Sequence, residues 1–203
     1  IRPELTALVA QVTLPAYLQR PEPEEEDVRG GGLTLVRGSV AVLEATATRD
    51  LAYATLDGKP QHVDGPRITT APILVTAKTR VSLAWRDQLG LAAREPQTLI
   101  IDTRDDDPPT VGISDLRNNQ VLLDTEVVAF EIHADDDFGV RRVGLEWEGI
   151  HDAVQNPTPG SGEKTSAAGS PTADSMTVAA TFSGKREGIR PQSLRLRAFA
   201  EDY

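Results

Sequence analysis

From Val40 the chain alternates with a period of two. Ala41, Leu43, Ala45 and Ala47 fall on one side and Val42, Glu44, Thr46 and Thr48 on the other, the pattern of a strand with one face in a core and one in water. Val81, Leu83 and Trp85 alternate in the same way with Ser82, Ala84 and Arg86, and the turn Asp87-Gln88-Leu89-Gly90 follows. Around these two elements the pattern predicts a strand over Leu5 to Leu14, stopped by Pro15-Ala16-Tyr17, and one over Leu51 to Leu56, ended by the turn pair Asp57-Gly58. It predicts two more over Ile68 to Thr76, with a break at Pro72, and over Thr98 to Ile101. Pro21 to Asp27 (PEPEEED) and Arg29-Gly30-Gly31-Gly32 combine repelling carboxylates with pliant backbone, which predicts a mobile loop.

The same pattern starts again in the second half. Val128, Phe130, Ile132 and Ala134 match Ala41, Leu43, Ala45 and Ala47 at one constant offset, and Leu196, Ala198, Ala200 and Asp202 match Val81, Leu83, Trp85 and Asp87 at a longer one. Val143, Leu145 and Trp147 face in, while Gly144, Glu146 and Glu148 face out. Most of the extra length falls in Gly149 to Ser175, whose Gly, Pro, Ser, Thr and Ala content predicts a low-complexity loop. A repeat of this size means tandem copies of a whole domain rather than solenoid units. The stretch Asp102 to Pro109, an acidic run closed by two prolines, predicts the linker, because proline lacks the N–H of a ladder and crowded carboxylates stay in water. The expected fold is all-β: two tandem immunoglobulin-like antiparallel β-sandwiches over residues 1–104 and 105–203, with Trp85 and Trp147 in the two cores. In the first copy the strand ending at Asp87 is followed by a closing strand; in the second the pattern stops at Tyr203. The second sandwich is therefore expected to lack its last strand and to leave an open flank beside Leu194 to Ala200.

Composition narrows the function. Without cysteine there is no disulfide, thiolate metal site or cysteine nucleophile. A formal net charge of −10 opposes binding to nucleic acid, whose affinity comes chiefly from basic side chains. No stretch is apolar for long enough to span a membrane. His62, His133 and His151 lie on unrelated segments, with no Gly-x-Ser-x-Gly elbow to pair with one of them, and His133 projects outward beside Ile132. Gly160-Ser161-Gly162-Glu163-Lys164-Thr165 fails as a phosphate loop, since Glu163 stands where phosphate would lie. The expectation is a protein without catalytic residues or cofactor.

Four short motifs occur in a telling order: Leu14-Pro15-Ala16-Tyr17, Arg37-Gly38-Ser39-Val40, Asp105 to Pro109, and Ala134-Asp135-Asp136-Asp137-Phe138-Gly139-Val140. In that order the chain resembles a bacterial membrane-anchored family of unknown function, domain of unknown function 4175. The resemblance implies extracytoplasmic domains tethered to the inner membrane by segments outside this stretch. It implies partners that are proteins or other domains of the same chain, and it brings no catalytic residues. Separately, Asp102-Thr103-Arg104-Asp105-Asp106-Asp107-Pro108 resembles the calcium-binding linker of cadherin-type domains, with Arg104 and Asp106 replacing asparagines. The alternative expectation is thus a calcium-rigidified adhesive pair, with Asp102, Asp105, Asp106, Asp135, Asp137 and Asp202 as candidate ligands, because Ca²⁺ takes six to eight hard oxygens.

Overall fold

The computed structural model describes residues 2–156 and 158–203; Ile1 and Pro157, the latter inside the expected low-complexity loop, lie outside the described residues. The protein is nearly all β, and the short helical piece among the described residues is one 3-10 turn, Ala16–Leu18. The chain divides into two compact units, Ile1–Asp106 and Asp107–Tyr203, two residues beyond the boundary expected from sequence.

The first unit contains β1 (Leu5–Thr13), β2 (Glu24–Asp27), β3 (Gly32–Val36), β4 (Val40–Ala47), β5 (Leu51–Leu56), β6 (Lys59–Pro60), β7 (His62–Asp64), β8 (Arg67–Thr69), β9 (Ile73–Leu74), β10 (Thr79–Asp87) and β11 (Gln97–Arg104). One sheet runs β2-β1-β4-β8-β7, with β9 also on β4, and the other runs β3-β11-β10-β5-β6. Ala41, Leu43, Ala45 and Ala47 from one sheet and Val81, Leu83 and Trp85 from the other are all buried, as their alternation requires. The Trp85 indole N–H donates to the carbonyl of Pro3 at 3.2 Å, which satisfies its polar edge inside the core. Pairing is antiparallel except between β3 and β11, which run parallel. Asp57-Gly58 closes the β5–β6 hairpin, and Pro72 separates β8 from β9.

Two expectations for this unit are corrected. The PEPEEED segment is not all loop, since Glu24–Asp27 is strand β2, paired with β1 from Val9↔Asp27 to Val12↔Glu24. An edge strand exposed on both faces keeps every carboxylate in water while its backbone completes a ladder, and charge there also discourages pairing with another chain. Buried Val28, whose N–H donates to Leu8 at 3.0 Å, fixes the segment at its end. The acidic linker is also shorter than expected, because Asp102, Thr103 and Arg104 are the last residues of β11. A strand with one solvent face tolerates a carboxylate there, and the two prolines fall beyond it.

The second unit contains β12 (Thr110–Ser114), β13 (Val128–Asp135), β14 (Arg142–Gly149), β15 (Ser161–Ala168), β16 (Ser175–Phe182) and β17 (Leu194–Glu201). They form two antiparallel sheets, β12-β13-β16 and β15-β14-β17. Between them lies a core that includes Phe130, Ile132, Ala134, Val143, Leu145, Trp147 and Phe182, with Val178 and Leu196 half-buried at its margin. Trp147 meets Phe182 tilted, with ring centroids 5.7 Å apart. The expected loop over Gly149 to Ser175 is corrected, as its middle is strand β15, paired along β14. Its composition fits that place. A Cβ on Gly162 would come within 2.5 Å of the Trp147 ring, so only glycine leaves room for the indole opposite it.

Candidate interaction edge

β14 is the middle strand of its sheet and sends alternate side chains to two environments. Val143, Leu145 and Trp147 enter the core, while Arg142, Glu146 and Glu148 stand on the outer face. Arg142 organises that face. Its guanidinium donates to both carboxylate oxygens of Glu201, Nε to Oε2 at 2.7 Å, and to the Thr165 hydroxyl at 3.1 Å. It also lies 5.1 Å above the centre of the Phe199 ring and 3.7 Å from Glu163. Arg142 thereby holds the Glu201 carboxyl below the usual carboxylate range. These contacts link all three strands across the outer face.

Among the described residues nothing is paired on the far side of β17. Its rungs, Leu194↔Gly149 to Glu201↔Arg142, all go to β14, and among the described residues no second ladder exists. The first unit shows what a second ladder does. There β10 is flanked by β5 and by β11, and its inward residues Val81, Leu83, Trp85 and Asp87 are between 2% and 6% exposed. Their counterparts Leu196, Ala198, Ala200 and Asp202 are only half-buried. β12 approaches β17 from the opposite sheet without bonding to it, and Ile113 packs on the core beside it. The edge therefore carries unpaired backbone N–H and C=O groups next to incompletely covered apolar side chains. On the outer face of the same strand, Arg197 reaches Glu146 at 3.7 Å, while the side chain of Arg195 is exposed and has no ionic partner among the described residues.

No protein-family model and no curated protein matches this chain. The acidic residues singled out from sequence go to several places. Asp102 receives the Lys78 ammonium at 2.6 Å, which, with the Thr103 N–H, holds its carboxyl below the ordinary range. Asp105 receives Arg37 at 2.7 Å, and Asp106 closes the first unit. Asp135 ends β13 between Thr110 and Ser175, Asp137 stands exposed in the turn after it, and Asp202 follows β17. Asp87, the counterpart of Asp202, accepts the N–H groups of Leu89 at 3.0 Å and Leu91 at 2.8 Å and thus caps a turn. Among the described residues no three His, Asp or Glu side chains are grouped so as to hold a metal ion.

Asp136, not singled out from sequence, is the unusual carboxylate. It is 8% exposed; Oδ2 accepts the Phe138 N–H at 3.0 Å, and Oδ1 is buried without a hydrogen-bond partner. Burial pushes its pKa above the ordinary range, the Phe138 N–H pulls partly back, and the charges of Asp137 and Asp202 add to the rise. A carboxyl whose pKa rises on folding favours the folded state only while protonated. That contribution is lost as pH climbs from the unfolded value through the folded one, so above the ordinary carboxylate range the buried carboxyl weighs against folding. Asp136→Asn keeps the acceptor for Phe138 and removes the charge. We expect it to raise the melting temperature at pH 7 and to narrow that gain at acid pH, which thermal melts across a pH series would measure. A lower melting temperature for the variant at pH 7 would contradict this account.

A polar bridge missed by sequence reasoning crosses the outer face of the other sheet. His133 Nε2 lies 2.7 Å from the Ser114 hydroxyl and Nδ1 lies 3.0 Å from the Thr177 hydroxyl, so the histidine expected to be solvated joins β12 and β16 to β13. No local motif signals it, because its three residues come from three strands. A serine nucleophile needs a base whose second nitrogen is oriented by a carboxylate, in a site that excludes water. Here a threonine hydroxyl occupies that second nitrogen, Glu131 stands 3.8 Å from the first, and His133 is partly exposed. The geometry suits a cross-strand tie.

Proposed function

We propose that this chain is a structural or interaction module without enzymatic activity, part of a larger bacterial protein that is held on the outer side of the inner membrane by segments elsewhere in its sequence. The observation that carries the reading is the use the fold makes of its best-connected polar side chains: Arg142 ties β14, β15 and β17 together and His133 ties β12, β13 and β16, so both serve the sheets. The motif order shared with the membrane-anchored family supports the compartment. The net charge of −10 supports partners other than nucleic acid. No helix among the described residues is long and apolar enough to cross a membrane, and the reading assigns anchoring to other parts of the protein. Fractionation of cells making the native protein tests it. The expected result is recovery with the inner membrane and cleavage of these domains by protease added to spheroplasts that spare a cytoplasmic control. Recovery in the soluble cytoplasmic fraction, or protection from the protease, would refute the compartment.

A further inference from the structure

We infer that β16 is a self-association edge, against which β16 of a second copy of the chain pairs antiparallel about a two-fold axis, with Ala179 opposite Ala179. The inference rests on the interaction-module reading and names its partner. β16 lies at the end of its sheet and is laddered to β13 from Val128↔Phe182 to Asp135↔Ser175 without a bulge. The first unit shows the same place covered. There β8, on the far side of β4, is itself flanked by β7, which the chain supplies through the turn just before β8. In the second unit the stretch before β16, residues 169–174, is used otherwise. The carbonyls of Asp174 and Ala173 accept the Asp136 and Val140 N–H groups at 2.9 Å, and the Gly169 N–H donates to Arg141 at 2.8 Å. The far side of β16 therefore presents backbone N–H and C=O groups that no ladder among the described residues takes up.

The sequence of this edge fits a copy of itself. In a chain of which 26% is charged, β16 reads Ser-Met-Thr-Val-Ala-Ala-Thr-Phe, so two copies, each with a net charge of −10, meet there without like charges opposed. Strand edges are normally guarded by a lysine, a proline or a bulge, and β16 has none of these. The other edges are less suited. β2 is wholly acidic, β15 carries Glu163 and Lys164, β17 carries Arg195 and Arg197, and β6 and β7 are two and three residues long. β3 and β12 are uncharged but five residues long, and Glu26 stands in the groove beside β3. Side-chain alternation then fixes the register. Opposed residues in an antiparallel pair share a face, so half-buried Met176 and Val178 must meet inward residues of the copy. With Ala179 at the axis, Val178 falls opposite Ala180 and Met176 opposite Phe182, while exposed Thr177 falls opposite Thr181. Val178 at the axis would instead set Asp174 against Phe182. The apolar pairs withdraw the margin of the core from water, and the threonine pairs suit neighbouring strands.

Sedimentation of the whole 203-residue chain across a concentration series is the test. The expected result is a monomer–dimer equilibrium that tightens with added salt, because screening relieves repulsion between two acidic chains. Ala179→Lys sets two ammonium groups face to face and should weaken the dimer about tenfold, while Ala179→Ser should leave it unchanged. Ala179 is exposed, so both variants are expected to melt like the parent in dilute solution. The chain has no cysteine, which lets single cysteines report the register. Under mild oxidation Ala179→Cys should form a disulfide-linked dimer, and a mixture of the Thr177→Cys and Thr181→Cys variants should cross-link faster than either alone. If Ala179→Lys lowers the melting temperature, the cross-links decide. A monomer at millimolar concentration overturns the inference. So does a dimer that Ala179→Lys leaves intact, or cross-linking of Thr177→Cys to itself in preference to Thr181→Cys. None of these results bears on the compartment, which fractionation decides separately.

Discussion

Replacing Gly139 with alanine is expected to destabilise the second unit by about 2–5 kcal/mol, combining backbone strain with overpacking. Gly139 has φ +104°, a conformation that side chains rarely tolerate, and a Cβ there would stand 2.5 Å from the Pro171 carbonyl oxygen. The turn cannot yield easily. The Asp136 N–H donates to Asp174 and the Val140 N–H to Ala173, both at 2.9 Å, and Phe138 and Val140 on either side are buried. Relief of the clash would break those bonds or withdraw an apolar side chain from the core. Urea unfolding of parent and variant gives the comparison, and equal midpoints would mean that the turn does not hold this backbone.

Phe130→Ala is expected to cost about 3–5 kcal/mol, the range for emptying an aromatic site in a packed core. Phe130 is 3% exposed in the middle of β13, opposite Ala180, and belongs to the cluster with Ile132, Leu145, Trp147 and Phe182. β13, which carries the hole, is the central strand of its sheet and β14 is central in the facing one, so collapse into it is limited. Phe130→Leu should cost much less, since most of the volume is kept. Chemical denaturation of both variants checks the order, and a loss below 1 kcal/mol for alanine would show that the face assigned to β13 is wrong.

Strands with one wet face were legible in the sequence, because water on one side and core on the other write an alternating pattern. Ala41 to Ala47, Val81 to Trp85 and Val128 to Ala134 all carry it and all lie as expected. Glu24–Asp27 does not, since an edge strand wet on both faces places no demand on side-chain polarity. Ser161–Ala168 was hidden for a different reason: its glycine answers to Trp147, a partner distant in sequence. The parallel pairing of Gly32–Val36 with β11 depends on where the chain returns, which no local signal records. At the candidate edge, the match of Leu196, Ala198 and Ala200 to Val81, Leu83 and Trp85 is readable from the repeat. Their incomplete burial is not, since it depends on what lies beside the strand. Asp136 escaped notice because Asp135, Asp136 and Asp137 look alike in sequence and only burial separates them.

The placing of β11 between β3 and β10 also has a mechanical side. Tension drawn along the chain at Asp105 would pull β11 lengthwise, and the ladders on its two flanks, Ile100↔Gly32 to Arg104↔Val36 and Thr79↔Ile101 to Leu83↔Gln97, would bear the load together in shear. Rungs that lie across the line of pull must give way as a group. Tension entering the second unit through Thr110 meets the single ladder of β12 to β13, Thr110↔Asp135 to Ser114↔Glu131. Pulled from the linker, β11 is the stiffer anchorage and β12 the one that yields first.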